Sequence, residues 1–448
     1  MDAASLALAE RSAPRYTSYP TAPHFSKSIG DAEMRSWLGR LDPDASLSLY
    51  LHVPYCAAIC AYCGCHTKAV RQDAPLDSYA RTLKSEIALT ARATRARRVT
   101  SIHWGGGTPG ILGPSRFAAI VSVLRDHFEL ADATEHAIEL DPRLLDADLV
   151  EALTAAGVTR SSLGAQDFNA HVQEAAGRVQ PFETVARAVE LLRGAGIAAI
   201  NLDVMYGLPK QSVQDVERTA SLAASLMPQR LAVFGYAHVP WFKSNQKLID
   251  AALLPGVSER LAQAAAVRAI LEAQGYEAIG LDHFARPDDP LAIAARDKRM
   301  RRNFQGYTID AADALLPFGV SSIGRFPQGY VGAATDLAGW RRAIEAGRFA
   351  TNRGVAFTRD DIARADLIER LMCDFEVDYG AAAMRHGFAR DAFDAAQASL
   401  DALAKDGVVT MQGRRVVVTQ RGQPFVRLVA AAFDAYLQTS QARHSSAV

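Results

Sequence analysis

The sequence predicts an α/β protein built on parallel strands, followed by a smaller unit of helices and a hairpin. A full or partial barrel fits the strand count, and a doubly wound open sheet is the alternative. Three observations lead there. From about residue 46, short β-rich runs alternate with apolar-periodic stretches of helical length, six units in series. Such alternation means parallel strands joined by right-handed crossovers. Each candidate strand runs directly into polar or glycine-rich residues, as expected of the face that carries the site in a parallel α/β barrel. From about Thr358 the alternation stops.

In chain order, the candidate strands are 47–53, 99–104, 136–140, 161–164, 198–205 and 231–236. Helices are expected over 76–95, 115–128, 144–156, 183–193 and 212–226, the last opened by the N-cap pattern Ser212-Val-Gln-Asp215. The first strand leads into the cysteines and the second into Gly105-Gly106-Gly107-Thr108-Pro109. The third ends on Glu139 and Asp141, the fourth on Gln166 and Asp167, the fifth on Asp203 and Tyr206-Gly207, the sixth on Ala237 and His238. A further helix over 258–274 and a strand over 276–280 follow. Residues 282–330, rich in Gly, Pro, Arg and Asp, read as irregular. Beyond Thr358 come helices, a hairpin turning at Gln412-Gly413 and a final helix over 425–437, a winged-helix-like pattern. Residues 358–448 hold 11 Lys/Arg against 12 Asp/Glu, whereas a nucleic-acid reader is basic. A packing or lid role is expected instead. The closing QARHSSAV is expected to fray.

The 448 residues carry 49 basic and 49 acidic side chains, 49% hydrophobic and 22% charged overall, the profile of a soluble globular chain. Zero net charge gives no general pull toward nucleic acid or anionic lipid. No apolar run approaches the roughly 18 residues of a membrane helix. The N-terminus lacks the layout of a signal peptide, so a cytoplasmic protein is expected.

Four of the five cysteines, Cys56, Cys60, Cys63 and Cys65, fall inside ten residues, CAAICAYCGC. Crowded thiols without a secreted context point to metal or redox chemistry. A thioredoxin-like pair, Cys60 and Cys63, leaves the other two unexplained. Haem attachment fails because Gly64 follows Cys63. Zinc wants a second ligand pair after a longer loop, and Cys63 and Cys65 are too close to share one tetrahedron easily. Short local thiolate spacing suits an iron–sulfur cluster best. Cys373, on the apolar stripe LIERLMCDF, reads as a small buried hydrophobe.

Cys56-x3-Cys60-x2-Cys63, with aromatic Tyr62 before its last cysteine, resembles the signature of the radical S-adenosylmethionine superfamily. The likeness is narrower than that. APRYTSYPTAPHF at 13–25, YLHVPYCAAICAYCGCHT at 50–67, HWGGGTP at 103–109, ELDPR at 139–143, LGAQDF at 163–168, NLDVMYGLPKQ at 201–211, YAHVP at 236–240, DHFARPDD at 282–289 and NFQGYT at 303–308 resemble, in that order, the oxygen-independent coproporphyrinogen III oxidase family. The match spans about residues 13 to 437.

That resemblance implies a partial (β/α)6 TIM-like barrel with a small C-terminal α+β domain. The divisions expected are an arm over the active site at 1–45, the barrel with a substrate-covering segment at 46–357, and the C-terminal domain at 358–448. It implies a [4Fe–4S] cluster on Cys56, Cys60 and Cys63 with one iron open to S-adenosylmethionine, and two S-adenosylmethionine molecules. Tyr50, Tyr62, Gly106, Gly107, Thr108, Glu139, Gln166, Arg178, Asp203, Ala237 and Ile323 would line their sites. The reaction implied is oxidative decarboxylation of two propionates of coproporphyrinogen III to vinyl groups by a 5′-deoxyadenosyl radical, giving protoporphyrinogen IX. An electron donor such as a flavodoxin or ferredoxin is implied, with a monomer and neither membrane nor nucleic acid as partners. Read alone, Glu139 and Asp203 would cap helices, Ile323 would join a core and Tyr50 would be a strand residue. Cys65 is not expected as a ligand; it and His52 are secondary candidates for catalysis. Arg15, Arg286 and Arg325 are candidates for substrate carboxylates. Gly177, before Arg178, stands where a polar side chain is expected. The alternative function is a haem-binding chaperone of the same superfamily, from which Cys65 and PRYTSYPTA separate this chain; a zinc-stabilised structural protein is a third reading.

Overall fold

The structure is a computed structural model that describes residues 3–437; the closing QARHSSAV lies outside them. Two helices, Ala3–Glu10 (α1) and Asp31–Gly39 (α2), precede the first strand, Leu47–Val53 (β1). In β1 every second residue, Leu47, Leu49, Leu51 and Val53, is fully buried on the helix-covered side. Ser48, Tyr50 and His52 alternate to the other face. Two short strands follow in the loop, Tyr55–Cys56 (β2) and Lys68–Ala69 (β3), then Arg98–Gly106 (β4), Glu129–Leu140 (β5), Arg160–Gln166 (β6), Ala199–Tyr206 (β7) and Arg230–Gly235 (β8).

The strands β1, β4, β5, β6, β7 and β8 lie side by side and parallel. The crossovers between them carry Asp73–Ala93 (α3), Gly113–His127 (α4), Ala147–Ala155 (α5), Ala170–Ala175 (α6), Phe182–Gly194 (α7) and Val213–Ser225 (α8). At α8 the expected cap is present: Ser212 Oγ accepts from Asp215 N–H, and Asp215 Oδ2 accepts from Ser212 N–H at 2.8 Å. Beyond β8 come Val257–Ala273 (α9), Glu277–Ile279 (β9) and His283–Ala285 (β10), the last antiparallel to β8. The sheet does not close on itself, so the barrel is partial, with β1 and β8 on opposite flanks.

Residues 282–330 are not irregular. They form β10, the helix Pro290–Arg296 (α10), the hairpin strands Arg301–Asn303 (β11) and Gly306–Thr308 (β12), then Ala314–Phe318 (β13), Ile323–Phe326 (β14) and the start of Gly329–Ala333 (β15). Strand β13 joins β1 in parallel, and β14, β15 and Thr351–Ala356 (β16) extend the sheet antiparallel to twelve strands. Runs of three to five residues carry no periodicity, and Pro317, Gly324 and Gly332 inside them look like breakers. The final helix is also shorter than 425–437.

Past Leu337–Glu345 (α11), the C-terminal part holds Arg359–Asp374 (α12), Glu376–Asp378 (β17), Tyr379–Arg385 (α13), Gln397–Lys405 (α14), Val409–Gln412 (β18), Arg415–Val418 (β19) and Val426–Ala431 (α15). A hydrophobic cluster separate from the barrel core joins Leu367, Leu371, Val426 and Phe433 to Leu8, Ala9, Ala13, Tyr16 and Tyr19 from the start of the chain. Tyr16 Oη donates to Asp434 Oδ2 at 3.0 Å, and Tyr19 Oη accepts from Ala435 N–H at 3.0 Å. Helix α2 returns to the barrel with Met34, Trp37 and Leu38. Among the described residues no helix is long and apolar enough to cross a membrane.

One buried acid on α3 holds the end of β13 and α11 together. Glu86 of α3 accepts from Gly319 N–H at 2.6 Å and from Trp340 Nε1 at 3.0 Å, while Tyr79 Oη donates to the His52 carbonyl. Burial pushes the Glu86 carboxyl from 4.5 up to about 7, against those two donors. A raised folded value means that folding favours the proton. This contribution to stability is whole below about pH 4.5 and is lost as pH rises through about 7. Denaturant titrations between about pH 5 and about pH 8 are expected to show wild type losing about 3 kcal/mol more than Glu86→Gln across that window. Parallel profiles would assign the slope elsewhere.

Candidate active site

The carboxyl ends of the parallel strands share one face, and the cysteine loop lies across it. The loop is pinned at its start, its return and its crown. Gly107 N–H donates to the Val53 carbonyl and Thr108 N–H to the Tyr55 carbonyl, both at 2.8 Å. Lys68 N–H and Val70 N–H close the return on the Pro54 and Cys56 carbonyls, both at 2.9 Å. From beyond β8, Asn245 Nδ2 donates to the carbonyls of Cys60, Ala61 and Cys63 at 3.2, 3.1 and 2.9 Å, Gln246 Nε2 to that of Tyr62 at 2.9 Å, and Lys243 Nζ to that of Cys65 at 3.0 Å. A Cβ at Gly107 would fall 2.3 Å from the Tyr55 oxygen and 2.5 Å from Thr67 Oγ1. The glycine is there to let the two backbones meet.

Each of the three sulfurs in the signature has its own donor. Thr67 Oγ1 donates to Cys56 Sγ at 3.3 Å, Arg178 Nη1 approaches Cys60 Sγ at 3.6 Å, and Cys65 N–H donates to Cys63 Sγ at 3.4 Å. Burial pushes the Cys56 thiol up to about 11. Hydrogen bonding from Cys65 pulls Cys63 down to about 6 against its burial, with the Lys243 and Arg178 cations helping. Donors and cations gathered on sulfur fit thiolates, the form that binds iron. Cys65 is exposed.

Arg178 is fixed by the Gly164 carbonyl at 2.8 Å, Gln180 Oε1 at 2.9 Å and Asp141 Oδ1 at 3.4 Å, and its Nε is buried without a partner. Gly177, the apparent departure, has φ +66°. It ends α6 in the left-handed conformation glycine adopts without strain.

Inside the strand ends, Glu139 and Asp203 line one cavity of about 230 Å³ with His103, Asn303, Gln305 and Tyr307. Glu139 accepts from Gly106 N–H at 3.2 Å and faces His103 Nε2 at 3.1 Å. Asp203 accepts from Ser162 Oγ at 3.0 Å and Asn201 Nδ2 at 2.8 Å. Burial first, then the neighbouring Glu139 charge, lifts Asp203 to about 6. His52 Nε2 donates to the His66 carbonyl at 2.9 Å, so its Nδ1 accepts from Tyr50 Oη at 3.1 Å. Burial keeps that imidazole neutral by lowering its pKa. The Tyr50 ring stacks on His103 with centroids 5.9 Å apart.

The other candidates scatter more widely. Gln166 ends β6 at φ +65°, on a register shift. Tyr62 is buried and joins a small apolar cluster with Val172, Leu208 and Tyr236. The Thr108 hydroxyl is buried and accepts from Asp141 N–H at 3.0 Å. Ala237 follows β8, and Ile323 is half-buried on β14, two strands from β1. Arg325 lines a second cavity of about 640 Å³ between the arm, β13 and α12. Arg15 is exposed on the arm. Arg286 stands apart: its N–H donates to the Gln229 carbonyl, just before β8 begins. That is the end of the sheet opposite the cysteines. Sequence reasoning missed Lys243, Asn245 and Gln246, which act on backbone carbonyls from the start of a short 3-10 helix, Ser244–Leu248, and carry no spacing signal.

A model of the radical SAM superfamily matches residues 50–223. The chain is 48% identical over 440 residues to the oxygen-independent coproporphyrinogen III oxidase of Bradyrhizobium diazoefficiens, covering 98% of each. It is 39% identical to that of Paracoccus denitrificans, covering 99% of this chain and 98% of the relative. A solved structure of Escherichia coli coproporphyrinogen III oxidase, described as a radical SAM enzyme, superposes with a TM-score of 0.90 at 38% identity, covering 94% of this chain and 98% of that one.

Replacing Gly107 by Ala drives a methyl into the Tyr55 carbonyl, so the loop must lift. Anaerobic reconstitution of Gly107→Ala is expected to incorporate less than half the iron and sulfide of wild type, with visible absorption reduced to match. Full incorporation would show that the loop seats without this contact.

Proposed function

The chain belongs to the oxygen-independent coproporphyrinogen III oxidase family of radical SAM enzymes, and from that premise we propose how its residues divide the work. It is an oxidoreductase of haem biosynthesis: without oxygen, it oxidatively decarboxylates two propionates of coproporphyrinogen III to vinyl groups, giving protoporphyrinogen IX. Its cofactors are a [4Fe–4S] cluster and S-adenosylmethionine, which when bound would supply the radical chemistry that removes a hydrogen atom from each propionate, the vinyl group being completed by loss of carbon dioxide and of one electron to an external acceptor.

The observation that carries the residue assignments is the loop of three donor-supported thiols on the strand-end face, next to a cavity lined by two carboxylates. Cys56, Cys60 and Cys63 would hold three irons and leave the fourth open. Glu139 and Asp203 accept hydrogen bonds from an ammonium or from ribose hydroxyls, and Arg178, already beside Cys60, orients a carboxylate. Gln166, Tyr50, Tyr62, Gly106, Ala237 and Ile323 complete the walls of two S-adenosylmethionine sites. Gly107 and Thr108 serve those sites by seating the cysteine loop and holding Asp141. Neutral His52 positions Tyr50. Electrons arrive from a small carrier such as a flavodoxin or ferredoxin on the side where Cys65 meets solvent. We place the protein in the cytoplasm as a monomer with no nucleic-acid partner, in keeping with a C-terminal part of net charge −1 (11 basic against 12 acidic residues).

Reconstituted protein, assayed without oxygen with coproporphyrinogen III, S-adenosylmethionine and a reductant, is expected to yield protoporphyrinogen IX and two carbon dioxides per turnover. Tight haem binding with no product would favour a chaperone instead. Cys60→Ser is expected to lose cluster absorption and activity together. Cys65→Ser is expected to keep the cluster; loss of the cluster there would make Cys65 a ligand and close the open iron.

A further inference from the structure

Four arginines from distant parts of the chain converge beside the working face. Arg15 comes from the arm, Arg260 from the first turn of α9, Arg302 from β11 and Arg427 from α15. Arg260 Cζ lies 6.0 Å from the Tyr206 ring and Arg302 Cζ 4.3 Å from the Tyr307 ring. Arg302 Nη2 donates to the Arg15 carbonyl at 3.4 Å, and Arg427 Nη1 to the Ala13 carbonyl at 3.2 Å. The charges oppose one another: Arg15 and Arg302 both act against Arg427, and Arg15 against Arg260. Asp282 acts on both Arg302 and Arg427, and it is already bonded to His283 Nδ1 at 2.7 Å. Arg260 Nε and Arg302 Nε and Nη1 are buried with no hydrogen-bond partner. Buried guanidinium nitrogens without an acceptor are costly, and crowding like charges adds to that cost. A second anion placed among them would relieve both.

The position is right for substrate. Tyr206 pairs with Gly235 at the carboxyl ends of β7 and β8. A Cβ at Gly235 would lie 2.8 Å from Tyr206 Oη and 3.2 Å from Arg260 Nη2, so the arginine lies against the strand ends, one residue from Tyr236 and two from Ala237. Tyr307, under Arg302, is also a wall of the cavity that holds Glu139 and Asp203.

We propose that Arg260, Arg302 and Arg427, with Arg15 at the rim, bind one carboxylate of the tetracarboxylate substrate, a propionate that survives the reaction. This rests on the reading that coproporphyrinogen III is the substrate. The choice of a surviving propionate follows from charge. Decarboxylation discharges a carboxylate as neutral carbon dioxide, and guanidinium forks that stabilise the anion hold it back. The subsite therefore anchors the far side of the macrocycle while a different propionate meets the radical.

The test compares holoenzymes without oxygen. Arg260→Gln and Arg302→Gln are each expected to raise the dissociation constant for coproporphyrinogen III about tenfold or more, with cluster absorption and S-adenosylmethionine affinity unchanged. Arg302→Lys should restore part of the loss. Coproporphyrinogen III esterified at its two surviving propionates should bind wild type more weakly by a similar factor, and should bind Arg260→Gln no worse than the free acid does. The ester comparison on wild type stands even where a variant fails to fold. Unchanged binding of the tetraacid by folded variants, or of the ester by wild type, overturns the subsite. Wild type that neither binds nor turns over the free acid overturns the substrate reading instead.

Discussion

Two backbone hydrogen bonds, Gly107 N–H to Val53 and Thr108 N–H to Tyr55, set where the cysteine loop begins. They join the ends of β1 and β4, which are neighbours in the sheet, so the loop inherits the rigidity of the parallel strands beneath it. Three side chains from beyond β8 then hold its crown by the carbonyls. A segment with almost no regular structure is thus tied down from both flanks of the partial barrel. Ordering such a loop costs about 1–2 kcal/mol per residue, and these bonds from both flanks offset part of that cost.

The barrel sorts its buried charges by how well they are satisfied. Glu86 is buried with two donors, which tie α3 to the end of β13 and to α11. Asp203 is also bonded, to Ser162 and Asn201, but it shares a cavity with Glu139, and burial and the Glu139 charge raise its cost of ionising. Arg178 sits between, engaged by Asp141 and Gly164 yet with one nitrogen unspent beside Cys60. Arg260 and Arg302 are the least satisfied. In a low-dielectric interior an unpaired group is tolerated only where something else pays that cost, so the gradient from Glu86 to Arg302 runs from scaffold to ligand.

What the sequence disclosed, and what it hid, follows from the same physics. The six parallel strands were legible because their β-rich runs bury every second residue and helices of ordinary length separate them. The cysteine loop was legible because thiolate chemistry needs a particular spacing. The strands from β10 to β16 were not, since pairs such as Pro317 with Gly324 break the pattern that a short strand would need to announce itself. Gly177 looked like a departure only because a positive φ is invisible in a one-dimensional string. The sequence does not disclose that the Thr108 hydroxyl turns inward to accept from Asp141 N–H. Asn245 left no trace at all: an amide that reads backbone carbonyls imposes no spacing on the residues around it.

The C-terminal part gains its meaning from the chain's other end. Leu8, Ala13, Tyr16 and Tyr19 are buried in its core, and the bonds from Tyr16 to Asp434 and from Ala435 to Tyr19 stitch the two together. One consequence is geometric. Arg15 and Arg427 reach the flank of β8 as a unit, because Arg427 donates to the Ala13 carbonyl two residues before Arg15. The C-terminal part carries 11 basic against 12 acidic residues. As the backing for one wall of a carboxylate site it needs only to keep two guanidiniums in place, and an apolar core shared with the arm does that without spending polar groups.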